Sequence, residues 1–113
     1  FQTEIDEETI RLIAVYTPVA AELRMLLMIT RINSQLERIG DQAMNIAFYA
    51  KNILKEKPLK QQIDIQQLAE KAKKMLHNAL YSFEQKSSKL AISVVNKDDK
   101  VDLLHDKIFH AFI

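Results

Sequence analysis

The chain has 113 residues, 16 Lys and Arg against 15 Asp and Glu, one glycine, two prolines and no cysteine. The balanced charge gives no global attraction to nucleic acid or anionic lipid, and the missing cysteines remove disulfides, thiolate metal sites and cysteine nucleophiles, which suits a reducing cytoplasm. No apolar run approaches the roughly 18 residues of a membrane span, no signal peptide is visible, and the scarcity of turn residues beside abundant Ala, Leu, Ile, Lys, Glu and Gln predicts an all-α fold with one modest core.

The first helix is expected over about Ile5 to Val15, with Thr3 as its cap and Asp6, Glu7 and Glu8 in its opening turn, where carboxylates meet the positive end of the helix dipole. Thr17-Pro18 reads as a restart, with a capping hydroxyl and a proline that has no amide to leave unpaired. The second helix then runs from Pro18 to Leu54 or Lys55. Met25, Ile29, Ile32, Leu36, Ile39, Ala43, Ile46, Ala50 and Ile53 alternate in steps of four and three, a heptad seam. A helix of that length spans on the order of 50 Å and calls for long partners, hence a bundle of long helices.

The polar stretch KEKPLKQQID, residues 55–64, is a connection, and Asp64 is placed to cap a third helix from Ile65 to Val94 or Val95. Asn96-Lys97 breaks the apolar pattern, and Asp98 or Asp99 is placed to cap a fourth helix carrying Val101, Leu104, Ile108 and Phe112. Met75 and the phenylalanines at helical spacing read as core filling. The chain opens at Phe1 and stops at HAFI inside an apolar helical pattern, so it reads as a fragment.

Chemistry concentrates in two acidic stripes. With the Met25-to-Ile53 seam facing the core, Glu37, Asp41 and Asn45 fall four apart on the solvent side. Asp98 and Asp102 repeat the spacing, with Asp106 four further on. Carboxylates so spaced repel unless a cation lies between them, and Mg²⁺, Mn²⁺, Ca²⁺ or iron accept all-oxygen sites. A single such pair more often marks a solvated helix face. Gly40 adds weight, because glycine inside a helix costs about 1 kcal/mol relative to alanine, and its place between Glu37 and Asp41 implies a close backbone approach by a helix or ligand.

Arg24, Arg31 and Arg38 recur every seven residues beside the stripe and suit a partner contact. Lys51, Lys55, Lys57 and Lys60 with Lys71, Lys73 and Lys74 form a basic region near the connection, which reads first as solubilising charge and second as a surface for an acidic partner or lipid headgroups. A di-iron carboxylate oxidoreductase would need Glu-x-x-His on two helices. The nearest stretch here is Asp102-Leu103-Leu104-His105, once, and His77, His105 and His110 lack helical metal spacing.

The stretch IDEETIRLIAVYTPVAAELR, the following RINSQLERIGDQAMNIA and the later DDKVDLL resemble, in order and distance, the PhoU family of phosphate-uptake regulators. The resemblance implies two tandem three-helix bundles of spectrin-like form and no enzymatic activity. Surface Glu/Asp-x-x-x-Asp motifs of the family hold iron, zinc or nickel clusters, or a divalent ion such as Mg²⁺ or Mn²⁺. By position Glu37 and Asp41 match the motif of the first bundle's third helix, and Asp98 and Asp102 that of the second bundle's second helix, with Asn45 and Asp106 as adjoining groups. Residues 1–56 then correspond to the second and third helices of the first repeat, 57–63 to the connection, and 64–113 to the first helix and the start of the second helix of the second repeat.

The implied role is repression of the phosphate-starvation response, through the ATPase subunit of the phosphate ABC transporter and a PhoR-type sensor kinase at the cytoplasmic membrane face. A full family member is longer, so each acid pair is expected to lack its partner motif, and an uncovered seam on the second helix is expected to drive homo-oligomer formation. The alternative class is a metal-free helical interaction module.

Overall fold

The computed structural model describes residues 1–55 and 62–111, with side-chain surroundings for 1–55 and 65–111. These residues form four α-helices, α1 (Gln2–Tyr16), α2 (Ala21–Ile53), α3 (Gln62–Glu84) and α4 (Ser88–Ala111), with no strand among them. The chain divides into two compact units, Phe1–Glu56 and Lys57–Ile113. Each is an antiparallel helical hairpin, α1 on α2 and α3 on α4. No helix of the described residues is long and apolar enough to cross a membrane.

α1 starts earlier than expected. Phe1 is its N-cap without a side-chain bond, and its carbonyl accepts from the Ile5 amide at 3.0 Å. Thr3 therefore lies inside the first turn, and Glu4 is the acid nearest the dipole's positive end. Nothing in QTEIDEET breaks a helix, so α1 is formed from Gln2 onward.

The Thr17-Pro18 restart is corrected too. Thr17 ends α1 in the left-handed region (φ 42°, ψ 53°), its amide donating to the Ile13 carbonyl at 3.0 Å. Pro18 crowds the right-handed helical conformation of the residue before it, so the pair terminates a helix rather than beginning one. α2 begins at Ala21 after Ala20, whose φ is 53° and whose carbonyl accepts from the Arg24 amide at 3.0 Å. Its other end falls at Ile53, a residue or two short of the expected one.

The largest correction lies between α3 and α4. The expected continuous helix to Val94 or Val95 ends at Glu84, and the expected break at Asn96-Lys97 lies in the middle of α4. Lys86 takes a left-handed φ of 52°, its amide bonds the Phe83 carbonyl at 3.0 Å, and the Ser87 amide reaches back to the Ser82 carbonyl at 2.9 Å. This pair of backbone bonds closes a helix C-terminus. The Ser87 hydroxyl then accepts from the Leu90 amide at 3.2 Å, capping α4. Asp98 and Asp99 are consequently interior residues of α4, not caps. α3 is in turn already formed at Gln62, ahead of Asp64, so Asp64 is not at its cap position; its side chain, most of the 55–64 connection, and Phe112 lie outside the described residues.

Both hairpins are thinly cored, since a pair of helices can bury only one stripe of each. Ile108 is the one large apolar side chain that is buried among the described residues. α1 meets α2 through Gln2, Asp6, Thr9, Leu12 and Ile13, all buried or half-buried, while Ile10 and Val15 face away and are exposed. The interface is thus polar-rich, and its hydroxyls bond their own helices: Thr9 Oγ1 donates to the Ile5 carbonyl at 2.8 Å, and Thr30 Oγ1 to that of Leu27 at 2.7 Å.

Candidate acidic metal-binding and docking surface

The face of α2 that receives α1 is rotated from the Met25-to-Ile53 seam. Its centre is Leu26, Ile29, Thr30 and Asn33, with Met25 and Ile32 half-buried at one margin and Leu23 at the other. Asn33 is buried, and its Nδ2 donates to the carbonyl of Gln2 at 3.0 Å, marking where α1 ends along α2. From Glu37 to Lys55 every residue of the first unit is exposed, including Ile39, Met44, Ile46, Phe48 and Ile53. The heptad stripe is therefore real as a pattern but largely uncovered within its own hairpin.

Steps of four and three carry the α1-contacting stripe from Asn33 to Glu37, Gly40 and Met44. Glu37 and Gly40 thus sit on the continuation of the packing face, one turn or more past the end of α1, rather than opposite it. Asp41 flanks them and Asn45 lies further round, all exposed. A Cβ added at Gly40 meets no atom within 4 Å, so no part of the described chain makes the close approach that a helical glycine implies.

Asp98, Asp102 and Asp106 follow one another at intervals of four along α4 and are exposed. Their stripe lies beside the packing stripe of Val94, Val101, Leu104 and Ile108, which are half-buried or buried. His105 Nδ1 and Asp106 Oδ1 are 3.4 Å apart, both exposed. Among the described residues no group of three or more His, Asp or Glu side chains converges as a metal site needs. Each acid pair offers two carboxylates, fewer oxygens than the six or so that a hard cation gathers. By itself neither pair supplies a full donor set for such an ion.

Arg24, Arg31 and Arg38 are exposed along α2, and no ion pair among the described residues involves them, Glu37 or Asp41. By contrast, Glu8 is engaged by Arg11 Nε at 2.9 Å, and that hydrogen bond holds its carboxyl below the usual carboxylate range. Sequence reasoning passed over Asn33, although Thr30 and Asn33 at an interval of three, in line with Leu23 and Leu26, were the available sign of a second, polar-rich stripe on α2.

A family model described as the PhoU domain matches residues 1–50 and 65–113. A phosphate-specific transport system accessory protein PhoU homolog of Aquifex aeolicus is 41% identical over 107 residues, covering 95% of this chain and 48% of that protein. The homolog of Clostridium acetobutylicum is 34% identical over 113 residues, 99% of this chain and 52% of its own. The phosphate-specific transport system accessory protein PhoU of Escherichia coli K12 is 30% identical over 107 residues, 95% of this chain and 44% of its own. The chain thus spans about half the length of the curated relatives it matches. No solved structure gives a significant match. Since the domain model covers both helical hairpins, the chain belongs to the PhoU domain family.

Proposed function

We propose that this chain is part of a non-enzymatic regulator of phosphate uptake, which restrains the phosphate-starvation response by contacting the phosphate transporter's ATPase subunit and a sensor kinase at the cytoplasmic membrane face. The observation that carries the reading is the family match across both hairpins, with relatives named as accessory proteins of phosphate-specific transport. In this reading residues 1–56 are the second and third helices of one repeat, 57–63 the connection, and 64–113 belong to the next repeat. The arginine row Arg24, Arg31 and Arg38 is then available for partner contact, being exposed without an intramolecular ion pair among the described residues.

Glu37 with Asp41, and Asp98 with Asp102, are proposed to hold iron, zinc, nickel, Mg²⁺ or Mn²⁺ once a second motif is brought alongside, with Asn45 and Asp106 as further oxygen donors. A second copy of the chain is the proposed source. The uncovered apolar residues of α1 and α2 favour such association, and the open space at Gly40 leaves room for it. The metal would supply only charge neutralisation and cross-bridging; the carboxylates position it and the helices determine where the copies meet.

Metal analysis and light scattering on the chain, on Glu37→Ala/Asp41→Ala and on Asp98→Ala/Asp102→Ala test this, with binding to the purified ATPase subunit measured beside them. The expected result is stoichiometric metal in an oligomer, lost in a double variant. Metal content unchanged by both would remove the sites. Binding to the ATPase subunit without metal in any version would favour a metal-free docking module.

Gly40→Ala is expected to stabilise the chain by about 1 kcal/mol, because alanine is the better helix former and its methyl group meets no atom of the described residues within 4 Å. The same change should weaken self-association measured by light scattering. Unaltered association would leave the glycine without a reason.

A further inference from the structure

The second hairpin carries a group of exposed lysines, two of them in register with its packing stripe. On α4, Leu90, Val94, Lys97, Val101, Leu104 and Ile108 alternate in steps of four and three, so Lys97 stands where the heptad otherwise has an apolar residue. On α3 the answering stripe is Leu68, Lys71, Met75, Asn78 and Ser82, and Lys71 stands in the same relation to it. Each of these lysines has a second one three residues on, Lys74 and Lys100, next to it on the helix surface.

All four border one cleft of about 220 Å³, also lined by Met75, Val101 and the half-buried amide Asn78. Among the described residues no carboxylate lines it. Lys73 is drawn instead to Glu70 at 3.4 Å, and no ion pair among the described residues involves the four cleft lysines. Asp98 and Asp99 are near in sequence, but they lie about 100° and 200° round the helix from Lys97. Four like charges around one partly apolar cleft repel one another, and a bound anion removes the repulsion.

We propose that this cleft binds a small linked-phosphate anion, inorganic pyrophosphate or a short polyphosphate, through Lys71, Lys74, Lys97 and Lys100. Two lysines on each helix are separated by roughly 4.5 Å of helix axis, which spreads the positive charge over more than one phosphoryl group. Lysine ammonium groups are rotatable point charges, so four of them can close on clustered phosphoryl oxygens without a fixed fork geometry. Among the described residues no aromatic ring lines the cleft to offer a stacking platform for a nucleotide base. The site uses none of the acidic pairs and stands or falls apart from the metal reading.

The test is calorimetric titration of the whole chain with inorganic pyrophosphate at low ionic strength, without divalent cations, beside orthophosphate and an acidic peptide. Lys71→Gln/Lys97→Gln should bind pyrophosphate about tenfold or more weakly, Lys73→Gln should match the parent chain, and added salt should weaken binding. Orthophosphate should bind more weakly than pyrophosphate. Helical circular dichroism monitors folding, and the rim variant Lys74→Gln/Lys100→Gln replaces the seam variant should the latter unfold. The proposal is overturned by equal affinity in the parent and the cleft variant, by equal weakening in Lys73→Gln, by tighter binding of orthophosphate or the acidic peptide, or by no heat with millimolar pyrophosphate.

Discussion

Ile108→Ala is expected to destabilise the second hairpin by about 2–4 kcal/mol, read as a lowered urea midpoint and as early loss of amide protection in α3 and α4. Ile108 is 8% exposed, while most apolar neighbours on α3 and α4 are half-buried or exposed, so few other side chains can make up the lost packing. It also lies near the end of α4 farthest from the closing turn at Gln85–Ser87, where no backbone bond of that turn holds the helices together. Natural domains are stable by only about 5–15 kcal/mol, so a loss of this size is a large share of the total. Ile108→Val, which removes a single methylene, should cost about 0.5–1.5 kcal/mol. Equal and small losses for both variants would mean that Ile108 is not the anchor of the hairpin.

Asn33→Asp should release the first turn of α1 from α2. Asn33 is 7% exposed, and its amide is the donor in a bond to the Gln2 carbonyl. Aspartate is nearly isosteric, but when ionised it has no donor and places a charge against that carbonyl. Leaving a buried polar group unpaired costs about 1–3 kcal/mol, and more when it is charged. Burial disfavours the ionised form and raises the introduced carboxyl's folded-state pKa above its unfolded value. The variant's stability should therefore recover as pH falls through that folded value, and be lost again as pH rises through it. Asn33→Leu should be much milder, because the Gln2 carbonyl retains its place in the α1 backbone ladder and leucine restores an apolar stripe. Hydrogen exchange at the α1 amides distinguishes the two variants, and equal protection in both would exclude the proposed tie.

The all-helical fold was legible from composition and period: one glycine in 113 residues leaves sheets without turns, and the long α2 was visible in its unbroken heptad. The family was legible in the LERIGD stretch with its upstream proline and the later DDKVDLL, since side-chain identity at fixed spacing survives without a fold being known. The turn between α3 and α4 was much harder to see. Its left-handed residue is Lys86, not the glycine that would have announced it, and only the absence of apolar residues between Phe83 and Leu90 hinted at a break.

Conversely, Asn96-Lys97 looked like a breaker because polar residues interrupted the apolar stripe. α4 nonetheless runs through them, since the backbone ladder does not require an apolar residue at every seam position. The sequence by itself determined helix content, heptad period, family and the spacing of the acid pairs, all of which follow from local propensity and linear order. Only the tertiary structure decided which face of α2 receives α1, that Glu37 and Gly40 continue that face beyond the reach of α1, and that Lys97 and Lys71 line one cleft. Periodicity defines a helix's stripes but not their partners, because the choice among stripes is made by the energies of packing one helix against another.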